Sequence, residues 1–501
     1  MHKGPELAPV FLRAHTRAKG KKKGRGYETE AKPPAKWASF ALIFDCETTI
    51  DIRQDLNFLW WRFCELKDGA YALQQEGVAH ADNLAKSSIE LIHEFAGRKR
   101  ARVEKDCPPE ILVQSRTEFV NGTFWDAIVA GATIVCFNSP FDLSRLALGF
   151  PEAQSKNTGW SMVLWKPRRK AQKFKPHLRI KPKDSRSAFI NLAGGDPNNR
   201  VVYRGRFLDL SVLAWALRNK HMSLNQTLKS FGLKGKMEHE PTGRVTKKEL
   251  AYGRRDVERT LELLNAMKVE YDGFPIDLPA EEAMSAASIT KALLDKMWIK
   301  EPNEKYSLPD AIQGKCMQAY YGGRSEIRIR HAEVPVVVCD ATSEYPSVAA
   351  LLELWPLLTA RNIRVVDCTK EARDVLHRTS LNELLTPSTW KQLAFFALVK
   401  PHGDVLPVRS LYSESGTNIG INPLVSSAPI WFAGPDLAAA KLLGSTPRVI
   451  KAFRLEPDEW QPGMNSIVLG SRQINPQEDL FRAIIEERKK LPETHPHYLL
   501  L

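Results

Sequence analysis

Up to about residue 270, short apolar runs alternate with stretches of helical spacing. Phe40–Asp45 is five apolar or aromatic residues ending on a carboxylate, the pattern of a buried strand. Leu56–Cys64 continues with strand-like aromatics, and Trp60 and Trp61 within it are expected to pack rather than to stack on bases. Ser87–Phe95 and Phe119–Val129 have helical spacing. Ala132–Phe137 predicts a second buried strand, Asn138–Asp142 a turn out of it, and Asp142–Leu148 a helix. Trp160–Trp165, Ala188–Leu192 and Val201–Phe207 alternate between basic and Gly/Asn/Pro turns, which predicts inserted β-hairpins. Leu208–Leu217, Ser223–Phe231 and Thr246–Met267 read as helices, the last of them long because only Gly253 interrupts it.

This alternation predicts an α/β domain over residues 38–270, with a basic β-hairpin insertion at 155–206. Pro275–Pro279 marks a boundary, Ala280–Trp298 reads as an amphipathic helix, and Pro302–Pro309 is a further break. Residues 271–330 are read as linker helices, and 331–501 as a second domain that contains a strand at Val334–Asp340. Residues 1–37 have no apolar period and read as a flexible basic arm.

Composition adds an acidic partner. The 501 residues carry a net charge of +14, of which residues 1–40 hold +7 and residues 155–206 hold +12, leaving the rest at −5. Such runs are either solvated faces or phosphate contacts. The seven cysteines (46, 64, 107, 136, 316, 339 and 368) include no C-x-x-C pair, which argues against a zinc ribbon or disulfide framework and fits a reducing compartment. No apolar run approaches the roughly 18 residues of a membrane span, and the first 37 residues lack the apolar core of a secretory signal. The expected setting is therefore intracellular, cytoplasmic or nucleoid-associated, with no membrane partner.

Asp45 and Glu47 stand at i and i+2 on a strand end and so share one face. The second strand runs into Asn138-Ser139-Pro140-Phe141-Asp142, and the long helix carries Tyr252 and Asp256 at i and i+4 on one face. Four carboxylates brought together repel one another and resist ionisation unless cations neutralise them. Hard oxygen ligands suit Mg²⁺ or Mn²⁺, and two such ions cleave phosphodiesters.

D-x-E, then N-x-x-F-D, then Y-x-x-x-D, in that order, resembles the tyrosine subclass of DEDD-superfamily 3′→5′ proofreading exonucleases. The resemblance implies a ribonuclease H-like fold. It makes Asp45, Glu47, Asp142 and Asp256 ligands of two Mg²⁺ or Mn²⁺ ions, lets Tyr252 orient the water, and puts Asn138 and Phe141 at the single-stranded 3′ end. Asp209, in Phe207-Leu208-Asp209-Leu210, is expected to be structural.

Further on, Tyr320-Tyr321-Gly322-Gly323-Arg324 is similar to the Y-x-G-G linker of family-B DNA polymerases, and Asp340-Ala341-Thr342-Ser343-Glu344-Tyr345-Pro346 to their motif A. By that resemblance Tyr320, Gly322, Gly323 and Arg324 contact template, and Asp340 binds the catalytic metals. Ser343, Glu344 and Tyr345 line the nucleotide, Tyr345 lying under the sugar. The family usually has an aliphatic residue where Glu344 stands. Leu480–Leu491 reads as a basic fingers helix. The palm hairpin motif Y-x-D-T-D and the fingers-helix motif K-x-x-x-N-x-x-Y-G do not occur in these 501 residues. The expectation is thus an exonuclease domain followed by an incomplete α+β palm and the start of the fingers, ending before motifs B and C and not polymerising alone. Its implied partners are DNA (a single-stranded 3′ end and a primer–template), and dNTP where a C-terminal polymerase fragment completes the site. Three other readings stay open: a stand-alone exonuclease, a non-catalytic nucleic-acid-binding remnant, and an RNase of the same superfamily.

Overall fold

The computed structural model describes residues 8–15, 35–100, 110–151, 159–165, 176–183, 187–192, 205–306, 308–323, 329, 331–339, 343–411, 416–470 and 472–492. Asp340, Arg324, the basic run 166–175 and the C-terminal residues 493–501 lie outside them. The described residues divide into two compact units, one drawn from 30–296 with 468–472 and 491–501, the other from 1–29, 297–467 and 473–490. Both mix α and β structure. Among the described residues, no helix is long and apolar enough to cross a membrane.

The first unit is built on a six-stranded sheet. Strands β1 (Phe40–Thr48), β2 (Leu56–Lys67) and β3 (Ala70–His80) form an antiparallel meander. Helix α1 (Lys86–Arg100) leads to β4 (Ile111–Ser115), which pairs parallel to β3. The Ser115 hydroxyl and Glu118 then form a capping box that starts α2 (Arg116–Phe119), which runs through a π-turn at Val120–Phe124 into α3 (Trp125–Val129). β5 (Thr133–Cys136) lies parallel to β1 and feeds α4 (Ser139–Leu146). β6 (Trp160–Met162), β7 (Leu178–Pro182) and β8 (Ala188–Leu192) make a separate three-stranded sheet. β9 (Arg206–Asp209) returns to the main sheet parallel to β5 and runs into α5 (Leu210–Arg218). The main sheet order is β4-β3-β2-β1-β5-β9. Helices α6 (Leu224–Ser230), α7 (Lys247–Asp272) and α8 (Ala286–Lys296) complete the unit.

The apolar pattern explains the central place of β1: Ala41 to Phe44 are all fully buried. Phe44 meets Phe119 and Phe124 edge-on at 6.0 and 6.2 Å, a favoured aromatic geometry. Trp60 and Trp61 are buried, and Gly77 on β3 leaves the space that the Trp61 indole fills; a Cβ there would lie 2.4 Å from the ring. Glu76, also buried, takes Arg62 Nη2 at 2.9 Å and Arg254 Nη2 at 2.6 Å, tying α7 to the sheet. Burial pushes the Glu76 carboxyl up, but the Arg254 hydrogen bond and the Arg62 charge outweigh it and hold it below the usual range.

The second unit contains α9 (Pro302–Lys305), α10 (Asp310–Gln318), α11 (Glu344–Leu351), α12 (Trp355–Thr359), β10 (Ala360–Asp367), α13 (Thr369–Arg378), α14 (Leu381–Leu384) and α15 (Pro387–Trp390). It continues with β11 (Phe396–Val399), the hairpin β12 (His402–Leu411) and β13 (Thr417–Val425), β14 (Ile430–Ala433), α16 (Gly434–Leu442), β15 (Val449–Trp460) and α17 (Leu480–Lys489). Its antiparallel sheet runs β10-β15-β11-β14, and one apolar core gathers residues of α13, α16 and the strands.

Several expectations need correction. Val334–Asp340 is not a strand among the described residues: Val336, Val337 and Val338 are 77 to 89% exposed, because no neighbouring strand supplies the ladder bonds an extended backbone needs. Ala280–Trp298 is not one helix. A 3₁₀ turn at Ala280–Glu282 is separated from α8 at Ser285, whose local bonds with Ser288 restart the chain. Asn138–Asp142 is no open turn, since α4 begins at Ser139 with Pro140 in its first turn, where a missing N–H costs nothing. Of the strand expected at Val201–Phe207, residues 201–204 lie outside the described residues, and a strand runs at Arg206–Asp209 in the main sheet; Leu178–Pro182 supplies the small sheet's middle strand. The helix placed at Leu208 starts at Leu210, capped by Asp209. Of the stretch read as a basic arm, residues 8–15 and 35–37 are described, and Val10 there forms a β-bridge with Ser410.

Because a Cβ at Gly77 meets a rigid indole, Gly77→Ala is expected to cost about 1–3 kcal/mol of stability. Chemical denaturation of the variant against the parent measures it, and an unchanged midpoint would show that the sheet yields there.

Candidate metal centre and nucleic-acid interface

Strand alternation puts Asp45 and Glu47 on one face of β1 and Cys46 on the other, in the apolar core. Helix α7 crosses that face, and it comes close because residue 253 is glycine. A Cβ there would stand 3.1 Å from Trp60 Cδ1 and 3.2 Å from Glu47 Cγ and Oε1. The approach delivers Asp256, so that one carboxylate oxygen each from Asp45, Glu47 and Asp256 lies within 4.8 Å of the others.

Asp142 is placed differently. It sits in the first turn of α4, 1% exposed, and its Oδ1 accepts from the Cys46 backbone N–H at 3.0 Å. It thus abuts the residue between Asp45 and Glu47 without joining the group of three. Asn138, at the exposed start of the same helix, holds a left-handed φ of 81°, and half-buried Phe141 lies beneath the Arg145 guanidinium at 4.9 Å. Asp209 caps: it accepts from Asn138 N, Ser139 N and Ser211 N at 3.1, 2.8 and 2.9 Å, fixing the α4 turn against α5.

Two residues of the α6–α7 loop belong to this site and carry no signature in the sequence. Lys236 Nζ lies 2.6 Å from Asp256 Oδ2 and 5.0 Å from the centre of the Tyr252 ring. Its backbone N–H donates to Asn225 Oδ1 at 3.0 Å. His239 Nε2 lies 2.8 Å from Glu249 Oε2, its ring 4.7 Å from that of Tyr252. Glu249 Oε1 also accepts from Thr242 N at 2.6 Å, so the loop is latched to the first turns of α7. The hint in the sequence is a short Lys234-Gly235-Lys236 run, which has no period to read.

The electrostatics follow from burying like charges together. Burial, then the charge of Asp256, pushes Asp45 up to about 7. Burial, then Asp45 and Asp256, pushes Glu47 up to about 9. Asp142 is raised well above its ordinary range by burial and by Asp45. Asp256 is raised by burial, and the Lys236 charge opposes this. Burial opposes the charge on Lys236, but Asp256 outweighs it and holds the ammonium above its ordinary range. Tyr252 is pushed up to about 12, chiefly by burial, and stays a neutral hydroxyl. One ammonium does not balance this many carboxylates, and an all-oxygen set short of positive charge is what a hard divalent cation fits.

In the second unit, Tyr320 is half exposed and Gly322 takes φ = 81°, a conformation glycine adopts freely. Arg409 Nη2 donates to Tyr321 O at 3.1 Å and to Tyr320 O at 3.4 Å. A side chain at Gly323 would begin 3.8 Å from Tyr345 Oη, so the Y-x-G-G segment and the tyrosine of the motif-A-like segment are neighbours. Ser343, with φ = 52°, opens α11, and its Oγ accepts from Arg488 Nη1 of α17 at 2.6 Å. Glu344 is in the first turn of α11 and Tyr345 is 80% exposed.

Residues 219–360 match the family model of DNA polymerase type B, organellar and viral. The match supports a family-B DNA polymerase. It takes in Lys236, Tyr252, Asp256, the Y-x-G-G segment and the motif-A-like segment, and leaves Asp45, Glu47 and Asp142 upstream. No curated protein matches the chain.

Because Asp45 and Glu47 hold protons more tightly folded than unfolded (reference values about 3.9 and 4.3), they erode stability as pH rises from about 4 towards about 9. Without divalent ions, the parent's melting temperature should fall between pH 5 and 8 relative to an Asp45→Asn, Glu47→Gln variant. Mg²⁺ at about a hundred times its Kd should recover about 5 °C or more at pH 8, and much less at pH 5. Parallel melting curves for parent and variant with no Mg²⁺ effect would rule out the centre.

Proposed function

We propose that the chain acts on DNA as a 3′→5′ exonuclease of the DEDD superfamily, tyrosine subclass, on a ribonuclease H-like domain, followed by palm and fingers elements of a family-B polymerase. The observation that carries this reading is the convergence of Asp45, Glu47 and Asp256 within 4.8 Å beside Tyr252 and Lys236. The sheet supports it too: a three-stranded antiparallel meander is extended from β1 by two parallel strands, each running into a helix. The family match supports the DNA-polymerase context.

In this reading Asp45, Glu47, Asp142 and Asp256 hold two Mg²⁺ or Mn²⁺ ions, which when bound supply an activated water and neutralise charge at the scissile phosphate. Asn138 and Phe141, at the rim, hold the unpaired 3′ end. The Tyr252 hydroxyl, neutral and aimed at the carboxylates, orients the attacking water. Lys236 favours the charged form of Asp256 and lends positive charge beside the substrate phosphate. Asp340 is the metal-binding carboxylate of the polymerase half. Ser343, Glu344 and Tyr345 face the nucleotide there, and Tyr320, Gly322, Gly323 and Arg324 the template.

With a 5′-labelled primer–template and Mg²⁺, the purified chain should shorten the primer in single-nucleotide steps from its 3′ end. Asp45→Ala with Glu47→Ala should abolish this and leave DNA affinity within about twofold, because the ligands go and the basic surface stays. Cleavage retained in that double variant would refute the site. Tyr252→Phe, which keeps the ring, should lower the rate about 10- to 100-fold. The same assay on an RNA primer reads the choice between DNA and RNA.

A further inference from the structure

Residues 8–15 lie on the second unit, next to the Y-x-G-G segment, in a defined way. The Val10–Ser410 bridge and the Phe11 N–H, which donates to Arg409 O at 2.8 Å, add this stretch to the edge of β12. At its other end, His15 Nε2 stands 3.6 Å from Asp310 Oδ1 of α10. Between these anchors, the Arg13 guanidinium lies 4.5 Å over the ring of Tyr320.

The stack does not use up what an arginine offers. Its five N–H groups radiate in the guanidinium plane, and stacking occupies only a face. Arg13 is exposed, and among the described residues no carboxylate pairs with it. A second guanidinium lies behind the segment: Arg409 is 8% exposed, spends Nη2 on the Tyr320 and Tyr321 carbonyls, and leaves Nη1 without a hydrogen-bond partner. It too has no carboxylate partner among the described residues. Among the described residues, then, two guanidinium groups without a paired carboxylate lie by Tyr320–Gly323, over a backbone with no side chain at Gly322 or Gly323. That arrangement suits a phosphodiester group, which takes a planar guanidinium in a bidentate fashion and needs close approach to the backbone.

We propose that Arg13, carried in by the N-terminal segment, is a DNA-binding residue: stacked on Tyr320, it contacts a backbone phosphate of the DNA strand passing the Y-x-G-G segment. This rests on the reading that the chain acts on DNA. The segment is then part of the DNA-binding face rather than a loose electrostatic tail. A diffuse tail would contribute in proportion to its charge, whereas a stacked arginine contributes one positioned contact.

The test is equilibrium binding of the full chain to a fluorescent primer–template over a salt series. It uses the Asp45→Ala, Glu47→Ala background so that the probe survives. Arg13→Ala should weaken binding about three- to tenfold and lower the slope of log affinity against log salt by about one. Arg13→Lys should keep the slope while losing part of the affinity, since an ammonium replaces the charge but not the planar stack. Unchanged or tighter binding by Arg13→Ala, or an unchanged slope, overturns the proposal and leaves Arg13 as a fastening for the segment. If the background chain does not bind the primer–template at all, the DNA reading itself has failed, a result distinct from a parent that binds and a variant that binds equally well.

Discussion

Crowding carboxylates in a buried place is the constraint that the first unit is organised around. Asp45, Glu47 and Asp256 stand within 4.8 Å of one another, and burial raises the cost of every charge among them. Such an arrangement persists only if the scaffold over-determines it. β1 is held between β2 and β5 and is fully buried from Ala41 to Phe44, so its far end cannot swing the carboxylates apart. α7 cannot retreat, because Arg254 is clamped by Glu76, which is itself held by Arg62. Gly253 removes the one side chain that would keep helix and strand apart. A glycine inside a helix costs about 0.5–1 kcal/mol relative to alanine, and here the close approach is what that cost allows.

What could be read from the sequence were features whose geometry is local. Two carboxylates at i and i+2 on a strand share a face whatever the strand packs on, and Tyr252 and Asp256 share a helical face for a similar reason. The buried strand at Phe40 and the long helix could be found for the same reason. What could not be read depends on distant partners. Val334–Val338 has the composition of a strand, but a strand exists only in a ladder, and none is offered among the described residues. Arg206 and Phe207 look like part of an inserted hairpin until β5 turns out to be the neighbour of their strand. Lys236 and His239 sit in a loop whose route is set by Asn225 and Glu249, and no spacing announces that. Arg13 was hidden likewise in an unpatterned basic stretch.

The second unit shows the same division between chemistry and scaffold. The segments that resemble polymerase motifs lie at chain turns and helix starts: Gly322 and Ser343 both take positive φ, and Ser343 opens α11. The sheet of this unit is built later, from residues 360–460, beyond the two segments that resemble polymerase motifs. Recognition groups need exposed backbone and special dihedrals, whereas the supporting sheet needs only apolar residues of suitable size. So a motif can be recognised where its support cannot, because the support is made by contacts between residues far apart in the chain. The Arg488–Ser343 hydrogen bond is one example, joining residues far apart in the chain.

Lys236 bears on how the centre passes between its charge states. Its ammonium adjoins Asp256, yet its backbone is fixed elsewhere, by Asn225, while the following turn is latched through His239, Thr242 and Glu249 to α7. The loop that carries the lysine is therefore held by contacts other than the carboxylate the lysine neutralises. In the proposed reading, a divalent ion would take over that neutralisation while the loop stayed latched, and the ammonium would become available to other anions within reach. A mobile lysine would have been displaced with its counter-ion. A lysine on a latched loop remains as a fixed positive charge at the mouth of the site, next to the Tyr252 ring, where the phosphate of an incoming strand would need it.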